Sequence, residues 1–240
     1  MAGHDPVIEA AKLGEPDRYL SALYAPEPAR GRMIALAAFA GDLARIAAGV
    51  REPMLAEIRF QWWREALAAG QRGDATGHPI VDRLAPDVAS GLLPPGLLLG
   101  MIDAAAKPNL GALFTDAQAL KAQLSKSEGA AFALAARALG AAHSEALEAA
   151  CERAGFAYGL ARLLVRFSHP VPDLAAQCRQ SLPVAAVAVA RLDSALLPAF
   201  LPLTMTPAYL RQAEVGAAAA TLPLRRWWHL WWANLRGQLT

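Results

Sequence analysis

Apolar residues recur at spacings of three and four almost from one end of the chain to the other, and this periodicity limits the fold more than any other feature. Met33, Leu36, Ala40, Leu43 and Ala47 mark the buried face of a helix expected over 29–50. Proline and glycine punctuate the pattern. A short helix is expected over 17–24, ended by Pro26 and Pro28. Pro53 opens the next, to about residue 69, with Gly70, Gly73 and Gly77 in the loop after it. His78-Pro79 and Pro94-Pro95 open two more, which end near 90 and 107. Two long helices, over 116–139 and 145–167, the second capped by Ser144, form the centre. Shorter ones are expected over 173–192 and 206–220, with a last helix over 222–239. No segment alternates long enough to make a strand, and no period of 20 to 50 residues signals a solenoid. The chain holds 56 alanines and 36 leucines, both strong helix formers, among 240 residues. The expected fold is all-α: a single-domain helical bundle over 1–240.

The remaining composition excludes several classes. A hydrophobic content of 55% against 18% charged residues excludes a disordered polypeptide. A net charge of +2 is too small for a nucleic-acid protein. Cys151 and Cys178 cannot build a disulfide framework, and no base adjoins either in sequence, so both are read as inert core thiols. The first 20 residues carry Asp5, Glu9, Lys12, Glu15, Asp17 and Arg18, with no apolar run of the kind a secretory signal needs. The longest uncharged stretch, 194–210, is interrupted by Pro198, Pro202 and Pro207. These features predict a cytoplasmic protein, with a reservation about its last helix.

Familiar catalytic motifs are missing. The sequence has no glycine-rich phosphate loop, no paired CxxC, no HExxH and no GxSxG. Its five histidines are scattered, with no two at helical ligand spacing. A helical protein that handles diphosphates with magnesium needs clustered carboxylates facing a cavity. The comparable cluster, Glu145, Glu148 and Glu152, lies in the early turns of a long helix, where the helix dipole favours acids without a metal.

The segment 35–46, ALAAFAGDLARI, followed by 51–64, REPMLAEIRFQWWR, resembles the squalene and phytoene synthase family. That family's N-terminal region reads ALxAFxxELAxI, a turn, then REPxLxxIRxQWWRxAL. Three weaker blocks agree: Asp17-Arg18-Tyr19-Leu20 with Ala25-Pro26, Gly155 to Leu164 where the second motif helix falls, and Leu197 to Leu203 as the late PAFLPL segment. The resemblance implies the isoprenoid-synthase fold, with helices around a central apolar cavity. It further implies head-to-head condensation of two isoprenyl diphosphates, with aspartate-rich motifs on facing helices holding magnesium.

The chain departs from that pattern where the chemistry resides. Aligned on Phe39, the first aspartate motif falls at Ala44, Arg45 and Ala48. Aligned on Gly155, the second falls near Arg166, His169 and Pro170. None of these positions is acidic, and a guanidinium there inverts the charge a metal would meet. No catalytic residue and no metal ligand is therefore carried over. The family's non-synthase branch, which includes the mitochondrial respiratory complex I assembly factor, is similar at Ala38 to Ala44 and at Arg59-Phe60-Gln61-Trp62-Trp63, and has an arginine near Arg162.

The ligand-pocket candidates are Phe39, Asp42, Arg45, Trp62, Trp63, Tyr158, Arg162 and Arg166. Tyr158, Arg162 and Arg166 recur every four residues and share a helix face. That face either lines a cavity and captures an anionic head group, or is a partly exposed stripe paired with acids such as Asp42 or Glu57. Gly155 and Gly159 suit close helix packing. In the last helix Leu224, Trp227, Trp228, Trp231, Trp232, Leu235 and Leu239 fill one arc, with Arg225, His229 and Arg236 opposite. Trp227, Trp228, Trp231 and Trp232, with Arg225 and Arg236, are candidate membrane or partner contacts, either in a membrane interface or in a helix that closes the bundle.

Three functions are compatible with these readings. The first is a non-catalytic assembly factor or scaffold, with respiratory complex I subunits or the surface of the inner membrane as partner, peripheral to that membrane. The second is a prenyltransferase with a divergent site, and only it calls for magnesium. The third is a carrier of an isoprenoid-like apolar ligand. No nucleic acid and no cofactor is expected.

Overall fold

The computed structural model describes residues 5–49, 52–106, 116–167, 172–215, 223–237 and 239; most of these are helical, with no strand among them. Helix α1 (Pro6–Gly14) is capped by Asp5, whose carboxylate accepts from the Val7 amide at 2.9 Å, with Pro6 in the first turn. The sequence reading missed it, because its apolar face is only Val7 and Ala11. Helix α2 (Pro16–Ala22) follows after Glu15, one residue earlier than expected.

Helix α3 (Ala29–Gly49) buries Met33, Leu36 and Leu43 as the spacing predicts, with Ala40 and Ala47 half-buried at its edge. It crosses α1 where two glycines meet. A Cβ on Gly14 would lie 2.6 Å from the Gly41 Cα, so any larger side chain would force the helices apart. Helices α4 (Pro53–Gln71), α5 (Pro79–Ala89) and α6 (Pro95–Ala106) complete the first half. Gly70 of α4 admits Ala85 of α5, which a Cβ there would approach to 3.1 Å.

The long helix expected over 116–139 is not continuous. Helix α7 (Ala117–Leu124) passes into a π-helical turn (Ser125–Gly129) and then α8 (Ala130–Ala138). Periodicity gives no sign of this, since the buried Leu120, Leu124 and Phe132 lie at spacings that an unbroken helix also places on one side. Helix α9 (Glu145–Phe167) runs through the middle, packed by α10 (Pro172–Val189), the π turn, α8 and α12 (Thr206–Val215). A short helix, α11 (Leu197–Phe200), lies between two 3-10 turns, Ser194–Leu196 and Leu201–Met205. The last helix is α13 (Pro223–Arg236). The part of the expected 206–220 helix after Val215, and Leu222, lie outside the described residues.

The core is continuous from α1 to α12. Phe39, Phe60, Trp63, Phe132, Tyr158 and Phe200 are its large buried side chains. Phe132 stacks on Phe200 with ring centroids 5.6 Å apart. Each such aromatic contributes roughly 1.5–3 kcal/mol by burial, so the fold rests on these contacts and on alanine packing. No helix among the described residues is long and apolar enough to cross a membrane.

Candidate functional site

A cavity of about 270 Å³ lies between α3, α6, the π turn and α9, with Glu15 from the junction of α1 and α2 and Arg18 from α2. One wall is apolar: Ala40, Leu43, Ala44 and Ala47 of α3 face Met101, Ala104 and Ala105 of α6. The opposite wall carries Glu15, Arg18, Ser127, Glu128, Arg162 and Arg166. Ala44 and Arg166 are exposed and mark its open end.

The charged wall is a closed network. Arg162 donates to both carboxylate oxygens of Glu15, at 2.9 and 2.7 Å, and lies 3.2 Å from a carboxylate oxygen of Glu128. Arg18 donates to the other Glu128 oxygen and sits 3.4 Å from Glu15. Its guanidinium also covers the rings of Phe132, at 4.9 Å, and Tyr158, at 5.5 Å. Burial opposes the charges of Arg18, Glu128 and Arg162, and pairing more than offsets it. Burial alone would raise the Glu128 carboxyl, but Arg162 and Arg18 hold it below the usual glutamate value. Likewise, burial disfavours the Arg162 cation, while Glu15 and Glu128 hold it well above its ordinary value.

Glycine contacts deliver both acids. Glu15 directly follows Gly14, whose close approach to Gly41 presses the end of α1 onto α3. Glu128 lies in the π turn, where Gly129 abuts Gly155 of α9. A Cβ on Gly155 would fall 2.3 Å from the Gly129 nitrogen. The extra residue of the π turn places both Ser127 and Glu128 at the cavity.

Beneath this network, Asp17 accepts from Tyr158 at 2.9 Å and also from Tyr209. All three residues are buried. Burial first, then the Asp17 charge, pushes the Tyr158 phenol well above its normal pKa. The thiols of Cys151 and Cys178 are both pushed up to about 12, chiefly by burial. Neither is a nucleophile at neutral pH.

The structure distributes the sequence candidates over several places. Arg162 and Arg166 line the cavity. Tyr158 lies beneath it in the core, 1% exposed, so the expected stripe of three residues does not share one environment. The expected pairing with Asp42 or Glu57 is corrected as well: Asp42 binds Arg45, and Glu57 binds Arg64 at 2.9 Å, while the partners of Arg162 are Glu15 and Glu128. The cause is helix assignment, because the unforeseen α1 and the π turn bring these acids closer.

Phe39, Asp42, Arg45, Trp62 and Trp63 stand away from the cavity. The Trp63 indole donates to Asp42 at 3.0 Å and packs edge-on against Phe39 at 5.0 Å. The His78 ring lies 5.0 Å from Trp62 and 5.2 Å from Trp63. This cluster joins α3, α4 and the start of α5, and Arg45 points outward at 69% exposure.

In α13, Leu230 and Ala233 pack on Leu201, a docking face that the expected tryptophan arc did not include. Trp232 and Leu235 are exposed, and Arg236 covers the Trp232 ring at 4.6 Å. Trp231 stacks on Trp232 at 5.5 Å. The side chains of Arg225, Trp227, Trp228 and His229 lie outside the described residues, as do His169 and Pro170.

The donor set does not fit a magnesium–diphosphate centre, which needs several carboxylate oxygens available to the ion. The cavity's two acids are each bound by guanidinium groups, and three arginines line it against those two acids. Among the described residues no group of three or more His, Cys, Asp or Glu is gathered to hold a metal.

Comparison with known proteins gives one result that bears on identity. A squalene/phytoene synthase family model matches residues 11–168, which run from α1 through the whole of α9 and include every helix that lines the cavity. No curated protein and no solved structure matches the chain significantly. The match covers well over half of the chain, and with its helical architecture the chain belongs to the squalene/phytoene synthase family.

Proposed function

We propose that the chain is a non-catalytic member of this family that acts by binding. Its role is that of an assembly factor or scaffold of the respiratory complex I type, peripheral at the inner membrane. The observation that carries the proposal is the state of the cavity acids: Glu15 and Glu128 are held by Arg162 and Arg18. Where the family's first aspartate motif aligns, the open end of the cavity has Ala44, and where the second aligns it has Arg166. A metal approaching there meets guanidinium first.

The cavity's size supports the same reading against the prenyltransferase alternative. Head-to-head condensation needs room for two prenyl chains. At about 270 Å³ the cavity lies below the range of about 300–1,000 Å³ typical for one drug-sized ligand. The exposed Trp232 and Leu235, beside Arg236, supply an apolar and cationic surface suited to an interface or a partner.

The test is affinity capture of respiratory complex I subunits by the full chain and by a chain ending at residue 221. Capture by the full chain, with loss on truncation, is the expected outcome. Equal recovery of those subunits by an unrelated helical control would contradict the assembly role.

A further inference from the structure

Helix α4 stands clear of the core at its start. From Pro53 to Arg59 every residue but Ala56 is exposed, and Phe60 is the first that the core takes up. Met54, Leu55, Ile58 and Trp62 make an apolar stripe on this helix, each between 41% and 76% exposed. A contiguous patch of this kind marks a contact surface, which apolar residues scattered singly do not. Leu55, Ile58 and Trp62 stand three and four apart, the spacing of a seam between two helices. Trp62 is a fixed anchor in the stripe, its ring packed edge-on against Trp63 at 5.2 Å and His78 at 5.0 Å. None of the four lines the cavity.

The charges beside the stripe indicate what covers it. Glu52 and Arg59 are exposed and form no ion pair among the described residues, and the Glu52 side chain makes no capping bond to α4. Seven positions apart, they lie two helical turns along one edge of the stripe, an acid at one end and a base at the other. A two-fold axis that sets two copies of α4 antiparallel brings the same edge of each together and reverses its order. Each Glu52 then meets Arg59 of the second copy, while Leu55 of one copy packs on Ile58 of the other. We propose that the start of α4 is a homodimer interface, an antiparallel two-helix seam in which Glu52 and Arg59 pair across the axis. A lipid surface matches it less well. Residues 52–65 carry three glutamates against two arginines, whereas a helix lying on a membrane has a cation-rich polar face.

The test is the mass of the full chain in solution, by sedimentation equilibrium. The expected result is a dimer, twice the 25.4 kDa of one chain, that dissociates on dilution. Ile58→Glu, with an unaltered circular dichroism spectrum, should leave a monomer at concentrations up to about 100 µM. Glu52→Arg and Arg59→Glu each set like charges against one another across the axis, and each alone should weaken the dimer about tenfold. Mixed in equal amounts, the two variants re-form both ion pairs and should associate as tightly as the unaltered chain. A monomeric full chain, a dimer that survives Ile58→Glu, or single variants that do not recover on mixing would each overturn the proposal. So would a monomer that sediments with phosphatidylglycerol vesicles and is released by Ile58→Glu, an outcome that gives the stripe to a lipid surface.

Discussion

Arg162 grips Glu15 with both terminal nitrogens, at 2.9 and 2.7 Å, and so ties α9 to the junction of α1 and α2 across 147 positions of sequence. Glu15 is 4% exposed and has little water to replace a lost partner. Replacing one member of such a pair leaves an uncompensated charge, which costs more than the intact pair contributes. Arg162→Met should therefore destabilise the fold by about 2 kcal/mol, at the lower side of buried pairs because the arginine is itself partly exposed. Adding Glu15→Gln should recover part of that loss. Urea denaturation of the single and double variants measures both effects, and a double variant weaker than the simple sum of its parts would contradict the pairing.

The contact between Gly155 and Gly129 predicts a steric effect. A methyl group on Gly155 would meet backbone atoms at 2.3 and 2.5 Å, which cannot rotate away. Gly155→Ala should cost about 3 kcal/mol and lower Tm. Gly31→Ala is the control: its Cβ would meet only the Glu27 carboxylate, at 3.9 Å. Helix propensity there should raise stability by up to about 1 kcal/mol. Equal Tm values for the two variants would refute the close crossing of α9 and the π turn.

Glu128 predicts an acid-side loss of stability. Its folded pKa lies below the ordinary value of 4.5, since Arg162 and Arg18 outweigh the opposing effect of burial. A lowered carboxylate stabilises the fold fully above the unfolded value, and that contribution disappears as pH falls through the folded one. Stability should hold from neutral pH to about 5 and then decline as pH drops below 4.5. Glu128→Gln should start less stable at neutral pH and show a shallower decline. Guanidinium melts over pH 3 to 7 would decide it, and parallel curves for both proteins would count against the ion pairs.

Asp17 joins two helices through two tyrosines, Tyr158 of α9 and Tyr209 of α12. Tyr158→Phe and Tyr209→Phe should each cost about 1 kcal/mol. Asp17→Ala should cost more than either, because it removes the acceptor of two buried hydroxyls at once. Thermal melts of the three variants test the order, and a harmless Asp17→Ala would break it.

Much of the helical order was legible in the sequence, and the reason is local. Pro53, Pro79 and Pro95 stand in the first turns of α4, α5 and α6, where a proline costs nothing, and the core face of α3 was given by residues three and four apart. Helix α1 carried its signal too, in Asp5 before Pro6, but its two-residue buried face was too short to register. The π turn left none, because its apolar neighbours Leu120, Leu124 and Phe132 read equally well on an unbroken helix. The site was legible only in part for the same reason. Arg162 and Arg166 were visible as a spacing on one helix, whereas Glu15 and Glu128 reach them from two other elements by packing, which no local pattern encodes. Trp63, an aromatic of the family's motif, serves the core through Phe39 and Asp42 and does not line the cavity.

Glu15 and Glu128 are neutralised by Arg162 and Arg18, and on the function proposed above the cavity performs no condensation. The most direct measurement is pyrophosphate release from farnesyl and geranylgeranyl diphosphate by the purified full chain, with and without Mg²⁺. The expected result is release at the rate of the buffer alone in both conditions. Magnesium-dependent release accompanied by a head-to-head condensed hydrocarbon product would contradict it.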